Sequence, residues 1–226
     1  MEKAIIFDSG ALISFSMNGI TELIRELKKI FSGKFLITSE IYNEIVDKPI
    51  KIKRFELEAL KLKALVDEGV LEMPGSLGIK DSEIEKKANE ILNIANSTFQ
   101  GKGKDIHILD KGECAGLALS RILDEKKVKN VLAVDERTTR LLVEKPENLK
   151  AIFEKKMNTK VTFKRENFKY FKGVKIIRSA ELAYVAYKKG LVKLKNNAVL
   201  DALLYAMKFK GAAISGDEIE EIKKLG

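Results

Sequence analysis

Four short apolar runs, each followed by polar residues and a helical pattern, organise the chain. Ala4-Ile5-Ile6-Phe7, Phe35-Leu36-Ile37, Val131-Leu132-Ala133-Val134 and Val174-Lys175-Ile176-Ile177 have the length and the β-branched or aromatic content of strands. The pattern predicts strands near 3–8, 34–38, 131–135 and 174–178. Elsewhere apolar residues recur every three or four positions, which predicts helices near 10–17, 20–31, 39–47, 54–68, 82–98, 112–126, 137–144, 147–157, 179–189, 197–209 and 216–224. Strands alternating with helices imply an α/β fold, a parallel sheet covered by helices on both faces.

Local punctuation supports several of these boundaries. Ser82 with Glu85, and Ser215 with Glu218, have capping-box spacing, and Gly190 and Gly211 stand where helices should stop. Two stretches interrupt the alternation. One, about 49–109, carries charged helices, a short expected strand at Val70-Leu71-Glu72-Met73, and Gln100-Gly101-Lys102-Gly103-Lys104, which reads as a flexible loop. The other, about 145–172, is basic and aromatic. The expectation is a single domain over residues 1–226 with these two segments as insertions.

Composition narrows the class. Hydrophobic residues make up 45% and charged residues 33% of the 226, which suits a folded protein and excludes a disordered one. No apolar run approaches a membrane span, and the amino-terminal stretch lacks the apolar core of a signal peptide, so a cytoplasmic protein with no membrane partner is expected. One cysteine, Cys114, and one histidine, His107, exclude an internal disulfide and a conventional zinc site. Abundant Lys and Glu with a single Gln point to a thermophilic source.

The net charge of +9 is concentrated. Between Lys145 and Lys175 there are ten Lys or Arg against three Glu, a surplus of ten minus three, or seven. Thr162 to Phe171 interleaves these cations with rings. Lys164, Arg165 and Lys169 could neutralise phosphates while Phe168 stacks on a base, which makes RNA the expected partner. The plainer reading of the same segment is a β-hairpin with its rings packed inward.

Candidate chemistry lies in acids. Asp8 and Asp135 close two predicted strands, and ligands of open α/β sheets bind at the carboxyl ends of strands. Glu44 lies on the helix after the second strand, and Glu113 opens an apolar helix. Like charges packed together resist ionisation, and a hard divalent cation reverses that balance; Mg²⁺ or Mn²⁺ suits an all-oxygen site. Such an ion activates water and stabilises the charge that builds during phosphodiester hydrolysis. Structural readings stand beside this one: Asp8, Asp110 and Asp135 as helix caps, and Glu44 and Glu113 as solvated helix residues. Glu136 is a candidate additional ligand, while Ser9 reads as a turn residue or a substrate contact. Arg137 and Arg140 follow Asp135 on a helix bordering the cleft, placed to grip a phosphate or to pair with an acid. His107 and Cys114 read as a packed or hydrogen-bonded residue and a small buried one, and Asp201 as structural.

The stretches Ile5-Ile6-Phe7-Asp8-Ser9-Gly10-Ala11-Leu12-Ile13, Thr38-Ser39-Glu40-Ile41-Tyr42-Asn43-Glu44-Ile45, Gly112-Glu113-Cys114-Ala115 and Val134-Asp135-Glu136-Arg137, in this order, resemble the PIN-domain nucleases, with Gly173 to Ser179 resembling the closing part of that fold. The resemblance implies a PIN-like three-layer fold and a metal-dependent endoribonuclease in which Asp8, Glu44, Glu113 and Asp135 hold one or two Mg²⁺ or Mn²⁺ ions. It implies products with a 5′-phosphate and a 3′-hydroxyl, and it brings homodimerisation and an antitoxin partner into consideration. Two other readings compete: a noncatalytic RNA-binding protein of the same fold, and a haloacid-dehalogenase-like phosphohydrolase. The latter is suggested by Phe7-Asp8-Ser9-Gly10 and Ser215-Gly216-Asp217 but has Gly10 where a general acid is needed.

Overall fold

The first apolar run forms strand β1 (Lys3–Phe7), whose last four residues are all buried. A computed structural model describes residues 2–225 of the chain. After β1 come helices α1 (Ser9–Met17) and α2 (Glu22–Ile30), strand β2 (Lys34–Leu36) and helix α3 (Ser39–Tyr42), which runs into a π-helical turn at Asn43–Asp47. Helices α4 (Glu56–Asp67) and α5 (Asp81–Asn96) and the short strands β3 (Phe99–Gly101) and β4 (Lys104–Asp105) follow. Then come α6 (Lys111–Glu125), β5 (Lys129–Ala133), α7 (Arg137–Glu144), α8 (Glu147–Met157), β6 (Val161–Phe163), β7 (Ile176–Ile177), α9 (Ser179–Lys188), α10 (Val199–Phe209) and α11 (Gly216–Lys224).

The main sheet is parallel throughout, in the order β2-β1-β5-β7, with Ile5 opposite both Phe35 and Val131, and Leu132 opposite Ile176. Alternation along β1 sends Ile5 and Phe7 into one core with Phe15, Phe35 and Leu204, and Ala4 and Ile6 into another with Leu117, Leu132 and Phe99. Both faces are therefore buried, as the near-continuous apolar strands require. Among the described residues no helix is long and apolar enough to cross a membrane.

Several local expectations change. Val70 to Met73 forms a single parallel bridge, Leu36 to Glu72, rather than a strand. Helix α5 starts at Asp81 with Lys80 as its N-cap, so Ser82 caps nothing; Ser215 does cap α11, its Oγ accepting from Glu218 N at 3.1 Å. Gln100 to Lys104 is a tight hairpin rather than a loose loop. Lys102 and Gly103 take φ of 53° and 74°, the consecutive left-handed pair whose twist matches two antiparallel strands.

The larger change concerns the two insertions, which build one structure together. β3 from the first pairs antiparallel with β6 from the second, Phe99 opposite Phe163, and β4 completes a three-stranded sheet. The Phe99 ring packs edge-on against Phe153 at 5.3 Å, and Phe163 stacks on Phe168 at 5.4 Å. The basic segment is thus not a self-contained hairpin: β6 is followed by a 3₁₀ turn at Arg165–Tyr170, whose Phe168 faces the Phe99 cluster.

Candidate active site

Asp8 sits where β1 passes into α1. Its backbone N–H donates to Ala133 O across the sheet, and its carboxylate accepts from Gly10 N at 3.2 Å, capping α1 as well as facing the carboxyl end of the sheet. Only 5% of the residue is exposed. Burial, with Glu113 and Glu44 as neighbouring negative charges, pushes its pKa up from 3.8 to about 7, against the opposing pull of the Gly10 and Ser9 N–H groups.

Glu44 reaches the same place through the π-turn. The i to i+5 bond from Lys48 N to Asn43 O widens the backbone there, a distortion that recurs at functional sites. Its carboxylate lies over the first turn of α6, against Gly112: a Cβ on Gly112 would fall 2.6 Å from Glu44 Oε1. Glycine is needed here for close approach rather than for unusual dihedrals. Among the described residues, the Glu44 carboxylate has no hydrogen-bond partner.

Glu113 is held at both oxygens. Asp110 N donates to Oε2 at 2.8 Å and the Thr139 hydroxyl donates to Oε1 at 2.6 Å. Burial raises its pKa, Glu136 and Asp110 add to the rise, and the Thr139 and Asp110 bonds oppose it. Glu136 itself caps α7, accepting from Thr139 N at 2.6 Å.

Asp135 behaves differently. It is 2% exposed and accepts three hydrogen bonds: from the Ser14 hydroxyl at 2.7 Å, from Ser179 N at 2.8 Å and from the Ser179 hydroxyl at 2.6 Å. Its oxygens tie α1 and the first N–H of α9 to the end of β5, while its backbone carbonyl accepts from Ala213 N. The cap it supplies is to α9, not to the helix that follows it. Asp8 thus has Glu44 and Glu113 as neighbouring charges and Glu113 has Glu136, while Asp135, engaged by two serines, lies with Asp8 within 4 Å of where a Cβ on Gly10 would stand.

Among the described residues, no three His, Cys, Asp or Glu side chains are grouped closely enough to hold a metal ion. Asp8, Glu44 and Glu113 are near enough to raise the proton affinity of Asp8, and side-chain movement would be needed for them to share one ion. The chemistry of the donors fits a hard divalent cation: all are carboxylate oxygens, and a cation would offset both the burial of the Asp8 charge and the neighbouring charges of Glu113 and Glu44.

The predicted RNA contacts fall into three places. Arg140 is engaged, donating from Nη1 to Ala213 O at 3.1 Å, with Glu218 at 3.5 Å from Nη2, and its buried Nε has no partner. Arg137 is exposed at the start of α7. Lys164, Arg165 and Lys169 are exposed, and Arg165 faces Glu147 at 3.6 Å, but the Phe168 ring is turned into the Phe99 cluster, leaving Tyr170 as the exposed ring of that turn. The turn is anchored by Arg121, which donates to Tyr170 O and Lys172 O at 2.8 Å. Arg121 lies eight residues beyond Glu113, about 12 Å along α6 at roughly 1.5 Å per residue, so this anchor sits toward the opposite end of the helix from the acids.

The residues read as structural are buried or locally paired. Cys114 is fully buried, and burial pushes its thiol up to about 12, where no reactive thiolate forms. His107 hydrogen-bonds Asp110 at 2.8 Å, and Asp201 pairs with Lys223 at 2.7 Å. Sequence reasoning missed Ser14, Thr139, Ser179 and Arg178. Ser14 had a visible signal, a polar residue inside the apolar run Ala11-Leu12-Ile13-Ser14-Phe15. Arg178, 9% exposed, bridges Glu181 and Glu218 at 2.6 Å each and pins α9 to α11. No protein-family model matches the chain, and no curated protein matches it.

Proposed function

We propose that the protein is a metal-dependent endoribonuclease of PIN-like, three-layer α/β/α fold, hydrolysing RNA phosphodiesters at the carboxyl end of its parallel sheet. The observation that carries this reading is Asp8: a carboxyl at a strand end whose burial, with Glu113 and Glu44 as neighbouring charges, raises its pKa to about 7. Asp8, Glu44 and Glu113 would hold Mg²⁺ or Mn²⁺, with Glu136 adjacent. When bound, the ion supplies Lewis-acid stabilisation of the charge that builds on the phosphodiester oxygens.

The chain's own residues divide the remaining work. Thr139 and the Asp110 N–H fix both oxygens of Glu113, orienting it as outer-shell donors orient a ligating carboxylate. Glu44, without a hydrogen-bond partner among the described residues, keeps the freedom to swing toward Asp8. Asp135, assigned by resemblance to the ligand set, also clamps α1 and α9 in register at the site. Arg137, exposed at the start of α7 next to Glu136, would be the cation that receives a phosphate.

Purified protein incubated with mixed RNA and Mn²⁺ is expected to cleave it; chelator, or the Asp8→Asn substitution, is expected to abolish cleavage. Cleavage that survives both treatments would overturn the reading. The separation of the acids favours one alternative, a noncatalytic RNA-binding protein of the same fold. That alternative predicts salt-dependent RNA binding with no Mn²⁺-dependent cleavage.

A further inference from the structure

A cleft of about 180 Å³ opens between α3, α5 and α6. It falls below the roughly 300 Å³ at which sites for whole small molecules begin, which leaves room for a single ring system. Its apolar lining is Ile84, Ala88, Leu92 and Ala115, and its polar lining includes Glu40, Asp81, Glu85, Asn89 and Lys111, with Asp81 already accepting from the Ser39 hydroxyl at 2.7 Å. The cleft shares its elements with the candidate site. Lys111 immediately precedes Gly112, on which Glu44 rests, and Glu40 stands four residues before Glu44 on the same helical run.

We infer that this cleft is a nucleobase subsite selective for guanine, receiving the base of a nucleotide that flanks the cleaved phosphodiester. The inference rests on the ribonuclease reading for its substrate. Single-stranded RNA is recognised by bases turned out against apolar walls and hydrogen-bonded along their Watson–Crick edges. The rim is rich in acceptors, with Glu40 and Glu85 free of hydrogen bonds to other described residues and Lys111 the cation among them. Guanine alone presents two adjacent donors, N1–H and the N2 amino group, beside one acceptor, O6. A carboxylate can accept from both donors while an ammonium donates to O6. Adenine, cytosine and uracil each place an acceptor against the carboxylate, which leaves it repelled and desolvated without a partner.

The test has two arms. In the first, 5′-GMP, 5′-AMP, 5′-CMP and 5′-UMP are titrated into the protein without metal, and backbone amide shifts are followed by NMR. Shifts confined to the cleft and at least about ten-fold tighter for 5′-GMP are expected, with Glu85→Gln and Lys111→Met, both on the exposed rim, each removing about ten-fold of that preference. In the second, a randomised RNA is cleaved in Mn²⁺ and the ends are sequenced; guanine is expected at one fixed position beside the cut, and the same substitutions are expected to erase it. Equal binding of the four nucleotides, or binding outside the cleft, overturns the inference, as does cleavage without base preference. Guanine-selective binding with no cleavage of any RNA would instead overturn the nuclease reading and leave the subsite standing.

Discussion

Ser179 donates to Asp135 twice, from its backbone N–H at 2.8 Å and from its hydroxyl at 2.6 Å, joining the start of α9 to the end of β5. With the Ser14 hydroxyl at 2.7 Å, the buried carboxylate accepts from two different helices. Removing it leaves two hydroxyls and an N–H unsatisfied in the interior. Asp135→Ala is therefore expected to cost about 3 kcal/mol or more in urea denaturation, with or without Mn²⁺, and Ser14→Ala about 1 to 2 kcal/mol. If Asp135 also ligates the ion, the loss is expected to be larger in Mn²⁺ than without it.

The raised pKa of Asp8 makes stability depend on pH. Below 3.8 the group is protonated in both folded and unfolded chains. Between 3.8 and about 7 the unfolded chain has released the proton while the folded one retains it, so the stabilisation present at low pH is lost as pH rises through about 7. Raising pH from about 5 to about 8 is expected to lower the metal-free melting temperature, and Asp8→Asn is expected to remove most of that component of the slope. A slope unchanged in the variant would show that Asp8 is ionised in the folded state well below pH 7.

Glu44 and Gly112 make a second close pair. Any side chain at 112 meets the Glu44 carboxylate at 2.6 to 3.0 Å, so Gly112→Ala must displace it. Mn²⁺ affinity, read by calorimetry, is expected to fall about ten-fold or more while α6 gains slightly in helix propensity. Unchanged affinity would place Glu44 outside the metal set.

Phe99 joins the two insertions. It is fully buried, and it packs against Phe153 from α8, Phe163 from β6 and Phe168 from the following 3₁₀ turn. Phe99→Ala is expected to cost about 3 to 5 kcal/mol and to expose the basic turn to proteolysis. RNA affinity measured across salt would then show whether the cations of that turn depend on its anchoring.

Much of this molecule was legible in one dimension. The helices α7, α8 and α11 begin and end where apolar spacing and the Ser215 cap place them, and the four strands of the main sheet appear at their four apolar runs, because periodicity and capping act over a few neighbouring residues. That Asp8 lies at a strand end was equally visible. Which acids face one another was not, since Asp8, Glu44 and Glu113 are far apart along the chain and meet only through the sheet and the π-turn.

Two features belonged to the tertiary structure alone. β3 and β6 are each three residues long, too short to show strand alternation, and each is specified by the other across about sixty residues of chain. Asp135 carries the same carboxylate as Asp8 and the same placement after an apolar strand, yet its hydrogen-bond partners come from Ser14 and Ser179. Sequence sets what a residue can donate or accept; only packing decides which partners reach it before an ion or a substrate does.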